Sequence, residues 1–292
     1  MRVRELKGHR DMVESFNIRE LSLFDSNWLS SAFTRAPQDS WAHDVLLNLA
    51  SNGGIYLATL KAWFARFPKP SIEMKNQLEN FVTSAHLGAV NEIFWWEWMK
   101  RFHWVAEPVD GKKQRRPDFH VTKPFDFFCE VTTQNISDEV KEKLSKDHAI
   151  DLKEERARTM ERLFVKAQQE KLDQIRYGAS QGRPSVLVLF DYTFWSAFGV
   201  PFDKLSGYLF GEQKWFLRLP SELSAIVYAD RQVQNGRLGI NQRRSAVYHN
   251  PYAQFRLPKT VFRMLFQHES TRDIVSPAKS LLEPEEWIWA EA

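Results

Sequence analysis

Two stretches decide how this chain is read: Arg115-Arg116-Pro117-Asp118-Phe119, and Phe127-Phe128-Cys129-Glu130-Val131-Thr132 a few residues later. Side chains of a strand alternate between its two faces, so Asp126, Phe128, Glu130 and Thr132 share one side of the second stretch. Phe127, Cys129 and Val131 share the other, which is wholly apolar and predicted to face a core. Glu130 thus falls in the middle of an apolar strand, where an isolated carboxylate is costly to bury unless a cation or a strong hydrogen-bond partner meets it. The turn at Lys123-Pro124 folds the first stretch back on the second and brings Asp118 opposite Glu130. Two adjoining carboxylates, with backbone carbonyls and water, make an oxygen-rich site suited to Mg²⁺ or Mn²⁺. Arg116 is an alternative partner for Glu130.

Outward from this hairpin, residues 103–109 form a further extended run, so three short, closely linked strands are expected to make an antiparallel meander. Before it, residues 72–102 carry Leu78, Phe81, Ala85, Ala89, Ile93 and Trp96 at three- and four-residue steps, which predicts one long helix. Helices are also predicted at 41–50 and 55–67, separated by Gly53-Gly54, with Pro68 and Pro70 stopping the second. After the meander, residues 138–176 are dense in Lys, Glu and Arg and read as helical, ended by Gly178 and Gly182-Arg183-Pro184. Residues 185–191 (SVLVLFD) and 223–229 (LSAIVYA) are near-continuous apolar runs, the pattern of strands buried on both faces. Residues 244–249 are expected to form a last strand before Asn250-Pro251. The order implies an α/β layered protein with a mixed central sheet flanked by helices. Its expected parts are a helical N-terminal region at 1–75, a core at 76–270 and a C-terminal tail at 271–292.

Composition narrows the remaining classes. The 11 Trp and 22 Phe must largely fill a core. Among them Phe94, Trp95, Trp96 and Trp98 are read as helix packing rather than a base-stacking platform. The net charge of +3 permits a local nucleic-acid-binding face without arguing for one. Lys112, Lys113, Arg115 and Arg116, just ahead of Asp118, are candidates for phosphate contacts, or for a solubilising loop. Arg231, Arg243 and Arg244 are candidates to join them. The single cysteine, Cys129, rules out an internal disulfide framework or a cysteine-built zinc site and is read as a small core residue. The histidines show no ligand-like spacing. No apolar run approaches membrane-spanning length and the N-terminus lacks a secretory apolar segment, so a cytoplasmic, non-membrane protein is expected.

Asp118 after Pro117, the hairpin, and Glu130-Val131-Thr132 together resemble the PD-(D/E)xK nuclease superfamily with its restriction-endonuclease-like fold, over about residues 80–230. The resemblance implies divalent-metal-dependent cleavage of nucleic acid, DNA above all, in restriction, phage defence or repair. It makes Asp118 and Glu130 metal ligands and assigns Glu92, in Gly88-Ala89-Val90-Asn91-Glu92, to the glutamate of the preceding helix. The lysine expected two residues after the glutamate is Thr132 here. Lys171 on the following helix is the first candidate to replace it, with Gln174 on the same face three residues on; Lys166 is the weaker one. Otherwise the metal alone activates water while Thr132 only hydrogen-bonds, or the domain has decayed into a module that binds nucleic acid or a protein. Homodimers that cut both strands occur among such proteins, and the helical N-terminal region is a candidate surface for a protein partner.

Overall fold

The computed structural model describes residues 22–35, 54–80, 84–110, 115–135, 138–146, 149–192, 202–211, 214–234, 237–270, 272–276 and 287–290. The helix predicted at 41–50, and Lys112 and Lys113, lie outside them.

Ahead of the sheet come α1 (Ser26–Arg35), α2 (Ile55–Arg66), α3 (Ile72–Leu78) and α4 (Ser84–Arg101). The single helix expected at 72–102 is therefore two. Side-chain hydrogen bonds take the carbonyls that would have continued it. The Leu78 carbonyl lies 2.6 Å from the His86 ring Nδ1, and the Glu79 carbonyl accepts from the Trp28 indole at 3.0 Å. A helix whose last carbonyls are satisfied by side chains ends there. Its start is conventional, with Ser71 accepting from the Met74 amide at 3.1 Å.

The meander follows as β1 (Val105–Pro108), β2 (Phe119–Lys123) and β3 (Phe127–Asn135), paired antiparallel in sequence. The charged stretch then forms α5 (Asp138–Ser145), α6 (Leu152–Val165), a π turn over Lys166–Glu170, and α7 (Leu172–Ser180). Next come β4 (Ser185–Tyr192), α8 (Phe202–Phe210) and β5 (Leu223–Ala229). Strands β3, β4 and β5 are mutually parallel. Every residue of β5, and all of β4 but Tyr192, is buried, as their apolar runs required.

Beyond them lie β6 (Arg231–Gln234), β7 (Arg237–Asn241), β8 (Ala246–His249), β9 (Phe266–His268), β10 (Ile274–Val275) and β11 (Trp287–Trp289). The main sheet runs β1-β2-β3-β4-β5-β8-β9-β10, and β11-β7-β6 form a smaller one. The last strand expected before Asn250 is β8, but it is not the last in the chain.

The period-2 alternation divides the core in two. Phe127, Cys129, Val131, Val188, Phe190 and Val227 face α4, whose Phe94, Trp95 and Trp98 are fully buried there. Leu187, Leu189, Ile226 and Tyr248 face α6, α7 and α8. The α4-side cluster also takes in Leu23, Trp28, Tyr56 and Trp63 from before residue 75 and Ala290 from the end of the chain. The boundary drawn at residue 75 therefore crosses a shared core, and β10, β11 and Ala290 of the expected tail belong to the sheets or the core. No described helix is long and apolar enough to cross a membrane.

Candidate functional site

The site is built by the β2–β3 hairpin. The paired residues Phe119–Cys129, His120–Phe128 and Val121–Phe127 fix the register, and one step further along it Asp118 falls at Glu130. Asp118 is tied in place by its own carboxylate: the Val131 amide donates to Asp118 Oδ2 at 2.7 Å. Glu130 lies on the β3 face turned toward α7, and only 4% of its surface is exposed.

From α7's N-terminal junction, Lys171 donates from Nζ to Glu130 Oε1 at 2.5 Å. The π turn makes this possible. The Lys171 amide bonds back to the Lys166 carbonyl at 2.8 Å, and Lys171 has φ −112° and ψ 8°, outside the helical range. The helix therefore breaks and restarts at Lys171, a device that recurs near functional sites. Gln174, in the first turn of α7, does not line the cleft, and its Oε1 is buried without a hydrogen-bond partner among the described residues. Lys166 pairs with Glu170 at 3.2 Å instead.

Glu92 enters from α4. Together Glu92, Asp118, Glu130, Thr132, Thr133 and Lys171 wall a cleft of about 250 Å³, closed on the helix side by Ala85, Gly88 and Ala89. The electrostatics are those of a negative site short of cations. Burial and the adjoining Asp118 charge, with a smaller push from Glu92, raise the Glu130 carboxyl to about 8 against the pull of Lys171. Burial lowers Lys171, but the charge and hydrogen bond of Glu130, with Asp118 beyond, outweigh it and hold the ammonium above its ordinary value. Among the described residues, Glu130 Oε2 is buried without a hydrogen-bond partner. A buried carboxylate oxygen in that state is costly unless a proton or a cation meets it.

Among the described residues, no three His, Cys, Asp or Glu side chains stand together as a metal cage. Asp118 and Glu130 adjoin, while Glu92, which lines the same cleft, acts on Glu130 through its charge. Donor chemistry fits a hard divalent cation at the Asp118–Glu130 pair: two carboxylates, one with an unsatisfied oxygen, suit Mg²⁺ or Mn²⁺.

Behind the cleft wall runs a chain of buried donors. Arg231 Nε donates to the Tyr192 hydroxyl at 2.6 Å, Tyr192 to Asn91 Oδ1 at 2.9 Å, and Asn91 Nδ2 to Thr133 Oγ1 at 2.8 Å. It fixes α4, and with it Glu92, against β3. Arg231 is thus buried in this network and not on a basic surface. Nothing local in the sequence marks it, because its phenol partners Tyr192 and Tyr56 come from distant elements.

The basic candidates are dispersed. Arg115 pairs with Asp173 at 2.9 Å, and Arg116 donates to the Asp110 carbonyl at 2.9 Å beside the Tyr177 ring. Arg244 pairs with the buried Asp230 at 2.9 Å, and Arg243 is exposed. Cys129 is buried with its thiol pushed well up by burial, which makes it a core residue and not a nucleophile. Compared with known proteins, the chain matches no protein-family model, no curated protein and no solved structure.

Proposed function

We propose that the chain is a divalent-metal-dependent phosphodiesterase acting on nucleic acid, with DNA as the first substrate to test, on a restriction-endonuclease-like core of the PD-(D/E)xK type. One observation carries the reading: Lys171 Nζ reaches Glu130 Oε1 at 2.5 Å in the same cleft as Asp118 and Glu92. On this reading Lys171, at the start of α7, would stand in for the motif lysine replaced by Thr132. Support also comes from the order α4, antiparallel β1-β2-β3, helices, then a buried β4 parallel to β3.

Asp118 and Glu130 would hold Mg²⁺ or Mn²⁺, with Glu92 assisting directly or through water. Held there, such an ion would supply an acidified water and neutralise charge on the scissile phosphate. The chain's own residues do the rest. Asp118 is oriented by the Val131 amide, Lys171 offers an ammonium to the phosphate oxygens, and the donor chain through Asn91 keeps the walls at their spacing. Thr132, buried at the cleft, contributes a hydroxyl.

A second reading is a non-cleaving module that binds nucleic acid or a protein. It is favoured by the fact that Lys171 already balances Glu130 without a metal. The test is incubation of the protein with plasmid, single-stranded DNA and RNA under EDTA, Mg²⁺ or Mn²⁺, beside Asp118→Ala and Glu130→Ala. Metal-dependent cleavage abolished in both variants establishes the nuclease. A folded protein that cuts none of these and takes up no Mn²⁺ by calorimetry refutes it and leaves the binding module.

A further inference from the structure

Arg231 opens β6 and is only 5% exposed. Among the described residues no carboxylate forms an ion pair with this buried charge, since the neighbouring Asp230 pairs with Arg244; two phenols, Tyr192 and Tyr56, stand in its place. Two chains of hydrogen bonds run out from Arg231. Their direction follows from chemistry, because a guanidinium donates and never accepts. Along the first, Arg231 bonds the Tyr56 hydroxyl, which lies 3.2 Å from His86 Nε2, and His86 Nδ1 lies 2.6 Å from the Leu78 carbonyl. Burial lowers His86 to about 4, so its ring is neutral, donating from Nδ1 to the carbonyl and accepting from Tyr56 at Nε2. This chain ends on an acceptor inside the protein.

The second chain ends differently. The Tyr192 oxygen accepts from Arg231 Nε at 2.6 Å, so the phenol proton goes on to Asn91 Oδ1, and that orientation turns the Asn91 amide nitrogen to Thr133 Oγ1 at 2.8 Å. With a lone pair so engaged, the Thr133 hydroxyl keeps a proton to give, and among the described residues no acceptor takes it. Thr133 lines the cleft that holds Asp118, Glu130 and Lys171. Each bond in a chain of aligned donors polarises the next, so the buried charge is carried forward as an aimed, electron-poor O–H at the cleft wall. Resting on the nuclease reading, we infer that Thr133 is a catalytic residue whose hydroxyl donates to a non-bridging oxygen of the scissile phosphate, with Arg231, Tyr192 and Asn91 as the positioning residues that aim it. A donor fixed in advance acts where charge develops in the transition state.

The experiment uses the full chain at saturating Mn²⁺ on an oligonucleotide of the type that the wild type cuts, made with phosphate, all-Rp or all-Sp phosphorothioate linkages. Thr133→Val, Thr133→Ser and Tyr192→Phe are compared with the wild type, with melting temperature followed in parallel. Expected for Thr133→Val is a loss in kcat of about a hundredfold on the phosphate substrate. Most of that loss should vanish on one phosphorothioate diastereomer, the one whose sulfur, a poor acceptor, replaces the bonded oxygen. Thr133→Ser should recover most of the activity, and Tyr192→Phe should show a smaller loss that vanishes on the same diastereomer. The inference is overturned if Thr133→Val cuts the phosphate substrate like wild type, if its loss is equal on all three substrates, as a merely structural role would give, or if Thr133→Ser loses as much. Should Thr133→Val misfold, Tyr192→Phe decides by the same comparison. A wild type that cuts no diester would instead bring down the nuclease reading itself, and this inference with it.

Discussion

Lys171 Nζ and Glu130 Oε1 are 2.5 Å apart although 41 residues separate them in the chain. Both side chains are largely buried, so the pair is not a surface ion pair whose worth salt would erase. Lys171→Met should lower metal-dependent cleavage by about a hundredfold or more, as loss of a positioned donor does. It should also destabilise the protein by up to about 3 kcal/mol once Glu130 is ionised, and far less where Glu130 carries a proton. Urea melts on either side of the Glu130 titration check this; an equal cost at both pH values would refute the pairing as its cause.

Glu130 itself gives a pH dependence with a definite sign. Its folded-state value of about 8 lies above the ordinary 4.5. Its contribution to stability is therefore fully present below the ordinary value and is lost as pH rises through the folded one. Melting temperature in EDTA should fall between about pH 5 and about pH 9, and Glu130→Gln should flatten that slope. A slope unchanged in the variant would place its origin elsewhere.

Metal should act in the opposite sense. A cation binds the ionised carboxylate, so uptake releases a proton and affinity rises with pH up to the Glu130 titration. Calorimetric Mn²⁺ titrations in buffers of different ionisation enthalpy should reveal that proton, and the melting temperature should climb with Mn²⁺ concentration. Neither effect should survive Asp118→Asn combined with Glu130→Gln.

Asn91→Leu cuts the donor chain between Tyr192 and Thr133 and leaves buried hydroxyls without their partner. The cost should be about 1–3 kcal/mol. Metal affinity should fall with it, because α4 and its Glu92 lose their tether to β3. Chemical denaturation paired with Mn²⁺ calorimetry checks both.

Gly178→Ala should destabilise by about 1–3 kcal/mol, since the new methyl would meet Ser185 Oγ at 2.1 Å. That hydroxyl is held in the core by the Ile175 carbonyl at 2.6 Å. Equilibrium unfolding reads this directly, and Gly88→Ala should shift it the other way.

What the sequence disclosed was whatever depends on short-range pattern. Alternation along 127–132 placed Glu130 and the core faces, and unbroken apolar runs marked β4 and β5. Lys171 was singled out beforehand only through the resemblance, and it lines the cleft. The break after Leu78 was not, because it depends on Trp28 and His86 closing carbonyls from a distance. The π turn was equally hidden: no residue at 166–170 forbids an α-helix, yet the helix breaks there just ahead of Lys171. Strands β6 and β7, with RQVQ and RLGIN, are too short and polar for a clear signal, and they find their third neighbour in β11.

The bond from the Val131 amide to Asp118 makes the hairpin register and the acidic pair one and the same arrangement. A slip of one residue would turn Glu130 toward the aromatic face of the core and strand Asp118 without its donor. The chain thus contains its own reporter. The Val131 amide proton, observed by nuclear magnetic resonance, would report metal uptake at Asp118 from within the cleft itself.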